Sequence, residues 1–234
     1  MIKNLEVFDM ERIKSGVPGF DSLVNGGFPR SHSILLCGAP GTGKTIFALQ
    51  FLYKGVKEFG ENGLYVSIEE DPSKLKTYAK EFGWADIEEF EKSKKMIFLR
   101  VPPSERKFDI VEQVREIVQR HDIKRIVVDS LSAIYLAFED ITQFVYSFVN
   151  LIEALNVTSL FITDSPPGST LLTKDGVSEF VCDGVIHLQL HDVSKTVNRT
   201  ISIKKMRGTS IIPGMNMLKF TESGLEVEEY KAFY

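Results

Sequence analysis

Cysteine is nearly absent from this chain. Cys37 and Cys182 are the only two among 234 residues, each inside an apolar segment, so they read as packed thiols and not as a disulfide or a metal pair. Long hydrophobic runs are missing as well. No uninterrupted apolar stretch reaches the roughly 18 residues of a membrane-spanning helix. The opening Met1-Ile2-Lys3-Asn4-Leu5-Glu6 has no apolar signal core, so the expectation is a cytoplasmic protein with no membrane partner. There is no basic excess either: Lys and Arg number 28 against 32 Asp and Glu, a formal net charge of -4. That balance disfavours a constitutive nucleic-acid binder, although it leaves room for a local basic groove. The length suits one α/β domain, residues 1–234, able to bury a core without staples.

What is present is a phosphate-binding loop. Gly38-Ala39-Pro40-Gly41-Thr42-Gly43-Lys44-Thr45 fits G-x-x-x-x-G-K-[ST] at every fixed position. The apolar run Ser33–Cys37 before it reads as a buried strand, and Ile46–Leu52 after it begins a helical pattern. In that setting the glycines turn backbone N–H groups toward one centre, the helix N-terminus adds unsatisfied donors, and Lys44 supplies a point charge. Thr45 is then a Mg2+ ligand.

The rest of the chain supplies carboxylates at strand ends. Leu64, Val66 and Ile68 alternate as in a strand that ends at Glu69-Glu70-Asp71-Pro72. Ligands of open α/β sheets bind outside the carboxyl ends of strands, so Glu69 and Glu70 are candidates to orient and deprotonate a water. Asp71, before Pro72 and Ser73, reads instead as the cap of the next helix. Arg125-Ile126-Val127-Val128-Asp129 has the form of a Walker B strand, with Asp129 facing the metal. Ser130, not glutamate, follows it, which sends the search for a catalytic carboxylate to Glu69 and Glu70. Thr163 and Asp164 close another strand, where ATPases that resemble this chain have a polar residue sensing the terminal phosphate. The charged stretch Asp86–Lys95 reads as solvated surface. Strands alternating with helices call for a mostly parallel sheet, and His187 and His191 read as structural.

Three further stretches carry a resemblance. Ser15-Gly16-Val17-Pro18-Gly19-Phe20-Asp21 running to Gly26-Gly27-Phe28-Pro29, then Gly176-Val177-Ser178-Glu179-Phe180-Val181-Cys182-Asp183-Gly184-Val185-Ile186, and then Lys205-Met206-Arg207-Gly208-Thr209-Ser210 resemble the KaiC branch of the RecA-like ATPases. The likeness extends over roughly residues 12–229, in the manner of archaeal-type chains with one KaiC domain. Ser15 and Ser31 stand where the family usually has threonine and glycine, and Ile211 where its clock members often have histidine.

The resemblance implies a RecA-like α/β fold with antiparallel C-terminal strands. It implies slow Mg2+-dependent ATP hydrolysis, with ADP as the product bound at the same site, in a homo-oligomeric and by analogy hexameric ring serving regulation or signalling through a protein partner that the sequence does not name. It makes Lys205 and Arg207 the residues that reach the γ-phosphate of a neighbouring subunit, and it makes residues 165–173 a loop facing a central channel. Two alternatives stand beside this reading. One is a recombinase or helicase motor acting on DNA, which the acidic balance disfavours. The other is an autokinase modifying Ser178, which the fixed charge of Glu179 disfavours.

Overall fold

The computed structural model describes residues 10–101, 107–137, 141–166, 171–193 and 196–228. The chain opens with β1 (Arg12–Ile13), α1 (Phe20–Leu23) and β2 (Phe28–Pro29), the two strands forming a small antiparallel pair. It continues through β3 (Ser33–Gly38), α2 (Lys44–Phe59), β4 (Asn62–Ser67), α3 (Pro72–Glu81), α4 (Ile87–Lys92), β5 (Met96–Arg100) and α5 (Lys107–His121). Next come β6 (Ile123–Asp129), α6 (Leu131–Ala137), α7 (Ile141–Ala154), β7 (Thr158–Asp164) and α8 (Ser178–Val181). Four strands finish it: β8 (Gly184–Val193), β9 (Thr196–Met206), β10 (Asn216–Thr221) and β11 (Gly224–Glu228).

One large sheet takes the order β5-β4-β6-β7-β3-β8-β9-β10-β11. Its first six strands are parallel and the last three attach antiparallel. This is the α/β architecture that the sequence leads one to expect.

Period-two alternation divides the strands between two cores. Ile34 and Leu36 of β3, Val127 of β6 and Leu160 and Ile162 of β7 pack with Phe47, Phe51 and Leu52 of α2. Leu35 and Cys37, Ile126 and Val128, and Phe161 face the other way, onto Val114 of α5 and Val145, Phe148 and Ile152 of α7. Strands covered on both faces read as continuous apolar runs, as these do. Cys37 and Cys182 are buried free thiols within this packing; burial, the largest effect, pushes both up to about 12. Among the described residues no helix is long and apolar enough to cross a membrane.

Two short helices go beyond the sequence-based reading. The Asp86–Lys95 stretch is not a plain solvated connector, because it contains α4, with Ile87 buried beneath it. Asp86 also accepts a hydrogen bond from the Tyr53 hydroxyl at 2.7 Å and pairs with Lys57 at 3.0 Å. Six residues are too few to display a helical period. The other is α6, on which the sequence reading is silent; it starts directly after β6, where the Ser130 hydroxyl accepts the Ala133 N–H at 3.2 Å, as a helix cap does. Asp71 behaves as expected: it caps α3 by accepting the Ser73 N–H at 2.9 Å.

A buried ion pair ties the start of β6 to the loop after α2. Arg125 is completely buried, its Nε donating to Glu61 at 2.7 Å and its Nη1 to the carbonyls of Lys14 and Phe51 at 2.8 and 2.9 Å. Burial lowers the Arg125 pKa and the Glu61 carboxylate works against that shift. Removing one partner of a buried pair leaves the other charge uncompensated. Glu61→Ala is expected to cost about 3 to 5 kcal/mol, read as a lower urea midpoint at unchanged slope.

Candidate functional site

The loop between β3 and α2 is shaped by glycines at φ 80° for Gly41 and 106° for Gly43, a region that side chains with a Cβ seldom occupy. Gly38 is required for a different reason: a Cβ there would lie 2.4 Å from the Leu188 carbonyl oxygen. The Thr42 hydroxyl donates to the Ala39 carbonyl at 2.8 Å, closing the turn. Lys44 folds back over the loop, donating to the carbonyls of Gly38 and Ala39 at 2.8 and 3.0 Å and pairing with Asp164 Oδ1 at 3.0 Å. The first-turn N–H groups of α2 have no preceding carbonyls to receive them, so the loop and helix start offer donors to an anion. Beside them is a cleft of about 290 Å³ whose walls include Gly41, Gly43, Thr45, Tyr78 and Phe220.

Strand register brings the carboxylates to this loop. Gly38 pairs with Asp164 across β3 and β7, and Ser67 with Asp129 across β4 and β6. The Thr45 hydroxyl donates to Asp129 Oδ2 at 3.3 Å, and the Tyr65 hydroxyl donates to the same oxygen at 2.5 Å. Burial pushes the Asp129 carboxyl up to about 6, the two hydroxyls pulling down and the charge of Glu69 pushing up. A hydroxyl and a carboxylate oxygen side by side are the hard donors that Mg2+ takes, with phosphate oxygens and water completing its shell.

Just beyond β4, Glu69 is exposed and Glu70 half-buried. Although Glu69 is exposed as a residue, partial desolvation of its carboxyl is the first cause of its raised pKa, followed by the carboxylates of Asp164 and Glu70, against Lys174 and Lys44. Glu70 turns toward the Tyr78 hydroxyl, whose pKa it raises, and its Oε2 is buried with no hydrogen-bond partner among the described residues.

Lys205 and Arg207 share a face, as their spacing implies, but on the opposite side of the sheet's length. Lys205 donates to the carbonyls of Glu179, Phe180 and Cys182, the last at 2.6 Å. Arg207 reaches Phe180 O at 3.1 Å and Asp183 Oδ1 at 3.0 Å. Asp183 in turn accepts from the N–H and hydroxyl of Ser33, both at 3.0 Å, at the first residue of β3. The P-loop leaves the other end of that strand.

The comparisons agree with this architecture. The family model described as "ATPase: KaiC" matches residues 13–232. The chain belongs to the KaiC ATPase family. A UPF0273 protein of Thermotoga maritima is 30% identical over 93% of this chain and 96% of its own length. A KaiC-like protein of Pyrococcus horikoshii, known from its crystal structure, superposes with a TM-score of 0.87 at 34% identity, covering 94% of this chain and 99% of that one. The circadian clock oscillator protein KaiC of Prochlorococcus marinus is 29% identical over 88% of this chain, which spans 43% of the clock protein's length.

The departures of this KaiC-family chain from the usual motif have local accommodations. Ser31, where glycine is usual, sits at φ 62° with its N–H donating to the Thr158 hydroxyl at 2.9 Å. Ser15 keeps the role of a hydroxyl residue by accepting the Val17 N–H at 3.1 Å. Ser178 is fully buried and its hydroxyl donates to Asp175 at 2.7 Å. Of the 165–173 loop, residues 167–170 lie outside the described residues. Thr163 is buried, its hydroxyl 3.3 Å from that of Ser132, so Asp164 is the member of that pair that meets the P-loop.

Sequence reasoning missed four residues here. Tyr78 and Phe220 wall the cleft, and Arg199 lies over the Phe220 ring at 4.8 Å while donating to Gly41 O at 3.2 Å. Lys174 approaches Asp164. None belongs to a local motif; only the fold brings them to the P-loop.

Asp183 yields a pH prediction. Burial opposes its ionisation, but the Ser33 N–H, Arg207 and the Ser33 hydroxyl together hold its carboxyl below the ordinary 3.8. A depressed carboxylate stabilises the fold above its unfolded pKa, and that contribution is lost as pH falls through the folded value. Wild type is therefore expected to exceed Asp183→Asn in stability at neutral pH, the gap closing as pH drops below about 3.8. Denaturation midpoints of the two proteins across that range check it.

Proposed function

We propose that this chain binds ATP on the Gly38–Thr45 loop and hydrolyses it slowly with Mg2+, as one ATPase unit of a homo-oligomeric ring whose nucleotide state regulates a protein partner. The observation that carries the reading is the meeting of Lys44, Thr45, Asp129 and Glu69 at one edge of the sheet, around a loop shaped for phosphate. In this reading the loop amides and Lys44 hold the phosphates. Tyr78 and Phe220 offer aromatic surfaces to the base in the adjoining cleft. Thr45 and Asp129 would hold Mg2+, which neutralises phosphate charge and draws electron density from the oxygen that leaves. Glu69 orients a water and takes its proton, and its raised pKa makes it a better base than a free glutamate. Glu70, held toward Tyr78 of α3, adds to the raised pKa of Glu69 through its charge.

Distance supports a role in trans for Lys205 and Arg207. Ser33, joined to Arg207 through Asp183, and Gly38 are the two ends of β3. Five strand steps separate them by about 16 Å, beyond the reach of one side chain from its own P-loop. In a head-to-tail ring that edge meets the next subunit's nucleotide.

Two outcomes follow. Glu69→Gln/Glu70→Gln protein is expected to bind ATP as wild type does and to hydrolyse it about 100-fold more slowly or worse, measured by nucleotide titration and phosphate release. Mixing that protein with Lys205→Ala/Arg207→Ala protein is expected to restore activity. With random exchange about a quarter of interfaces regain both halves of a site. Zero activity despite verified subunit exchange would reject the trans role, and an ATP-loaded protein that stays monomeric would reject the ring.

A further inference from the structure

While Lys205 and Arg207 stand at the far edge, a second ammonium lies at the P-loop edge of the same chain. The Asp164 carboxylate is shared, Oδ1 taking Lys44 at 3.0 Å and Oδ2 facing Lys174 at 3.9 Å. Both lysines act on Glu69, opposing the rise in its pKa. Lys174 therefore faces the same space as the P-loop lysine and the candidate base, from a segment more than a hundred residues downstream.

Its backbone is braced on both sides. Thr173 is fully buried, and its hydroxyl accepts the Gly176 N–H at 3.0 Å and donates to Asp175 at 3.2 Å. Asp175 accepts the N–H groups of Val177 and Ser178 at 2.7 and 2.8 Å and the Ser178 hydroxyl at 2.7 Å. On the other side the Ser165 hydroxyl donates to Leu172 O at 2.8 Å. These bonds also secure the entry to α8 and fix the backbone on both sides of Lys174, while a half-exposed ion pair as long as Lys174–Asp164 adds little to stability by itself.

We propose that Lys174 is a second phosphate-binding lysine, contacting the terminal phosphate of a nucleoside triphosphate bound at its own chain's P-loop. The proposal rests on the ATP-binding reading above. The loop amides serve the inner phosphates and the P-loop lysine the outer ones. A cation that shares a counter-ion with Lys44 and acts on the candidate base is therefore on the terminal-phosphate side. With a diphosphate, Lys174 keeps Asp164 as its partner; a triphosphate brings a competing anion, so Lys174 distinguishes the two.

Equilibrium titrations with a non-hydrolysable ATP analogue and with ADP, both in Mg2+, test this. Lys174→Gln is expected to weaken the triphosphate analogue by about 10-fold and ADP by no more than about twofold, while Lys174→Arg stays near wild type. Lys44→Ala is the control and is expected to weaken both nucleotides. Equal losses for the two nucleotides in Lys174→Gln, or no loss in either, would overturn the proposal while leaving the P-loop reading standing. A lowered melting temperature with an unchanged ratio of the two affinities would show a structural pair and overturn it too. Wild type that binds neither nucleotide, or Lys44→Ala that binds both normally, would bring down the P-loop reading and Lys174 with it.

Discussion

In a parallel sheet every strand delivers its carboxyl end to the same edge, and the site depends on that constraint here. The pairings Gly38 with Asp164 and Ser67 with Asp129 align four strand ends that come from widely separated parts of the chain. Parallel strands need crossovers, and helices supply them on both faces. The two apolar cores behind those helices hold the strand ends in register. A one-residue slip would send Asp129 to the other face of the sheet, and its hydrogen bonds with Thr45 and Tyr65 would go with it.

The same geometry assigns the two ends of β3 to different tasks under the proposed reading. One end makes the P-loop. The other is fixed through Asp183 to Arg207 and so to the end of β9. Under that reading the edge that carries Lys205 and Arg207 but not the phosphate-binding loop complements the edge that carries the loop, and a head-to-tail contact between copies would bring the two together. Closed rings use such heterologous contacts, which makes the separation of Arg207 from its own P-loop an expected feature of assembly and not a defect of the site.

The motif-bearing parts of the chain were readable in advance because their constraints are local. The P-loop glycines answer to backbone angles and close approach, the alternation in β3, β6 and β7 to burial, and Asp71 to a cap two residues away. Elements whose reasons lie elsewhere were not readable. The α4 helix is too short to show a period and is secured by Tyr53 and Lys57, about thirty residues earlier. Phe220, Arg199 and Lys174 acquire meaning only when β10, β9 and the turn before α8 are folded against the P-loop. No spacing rule connects residue 220 with residue 43, yet a Cβ on Gly43 would lie 3.2 Å from the Phe220 ring.

Lys44 shows how closely binding is coupled to what already occupies the loop. An ammonium has three donors, and in this structure all three have acceptors: the carbonyls of Gly38 and Ala39, and Asp164. A phosphate at the loop therefore exchanges contacts with Lys44; it does not simply add one. The two carbonyls belong to the loop, and giving them up alters its shape. Asp164 sits at the end of β7, on the side of Glu69 and Lys174, and can be released without disturbing the turn. Affinity under the proposed function then depends on the difference between a phosphate and the Asp164 carboxylate as partners for Lys44. That makes Asp164, which lies outside every phosphate-binding motif, a determinant of how tightly the loop holds its ligand.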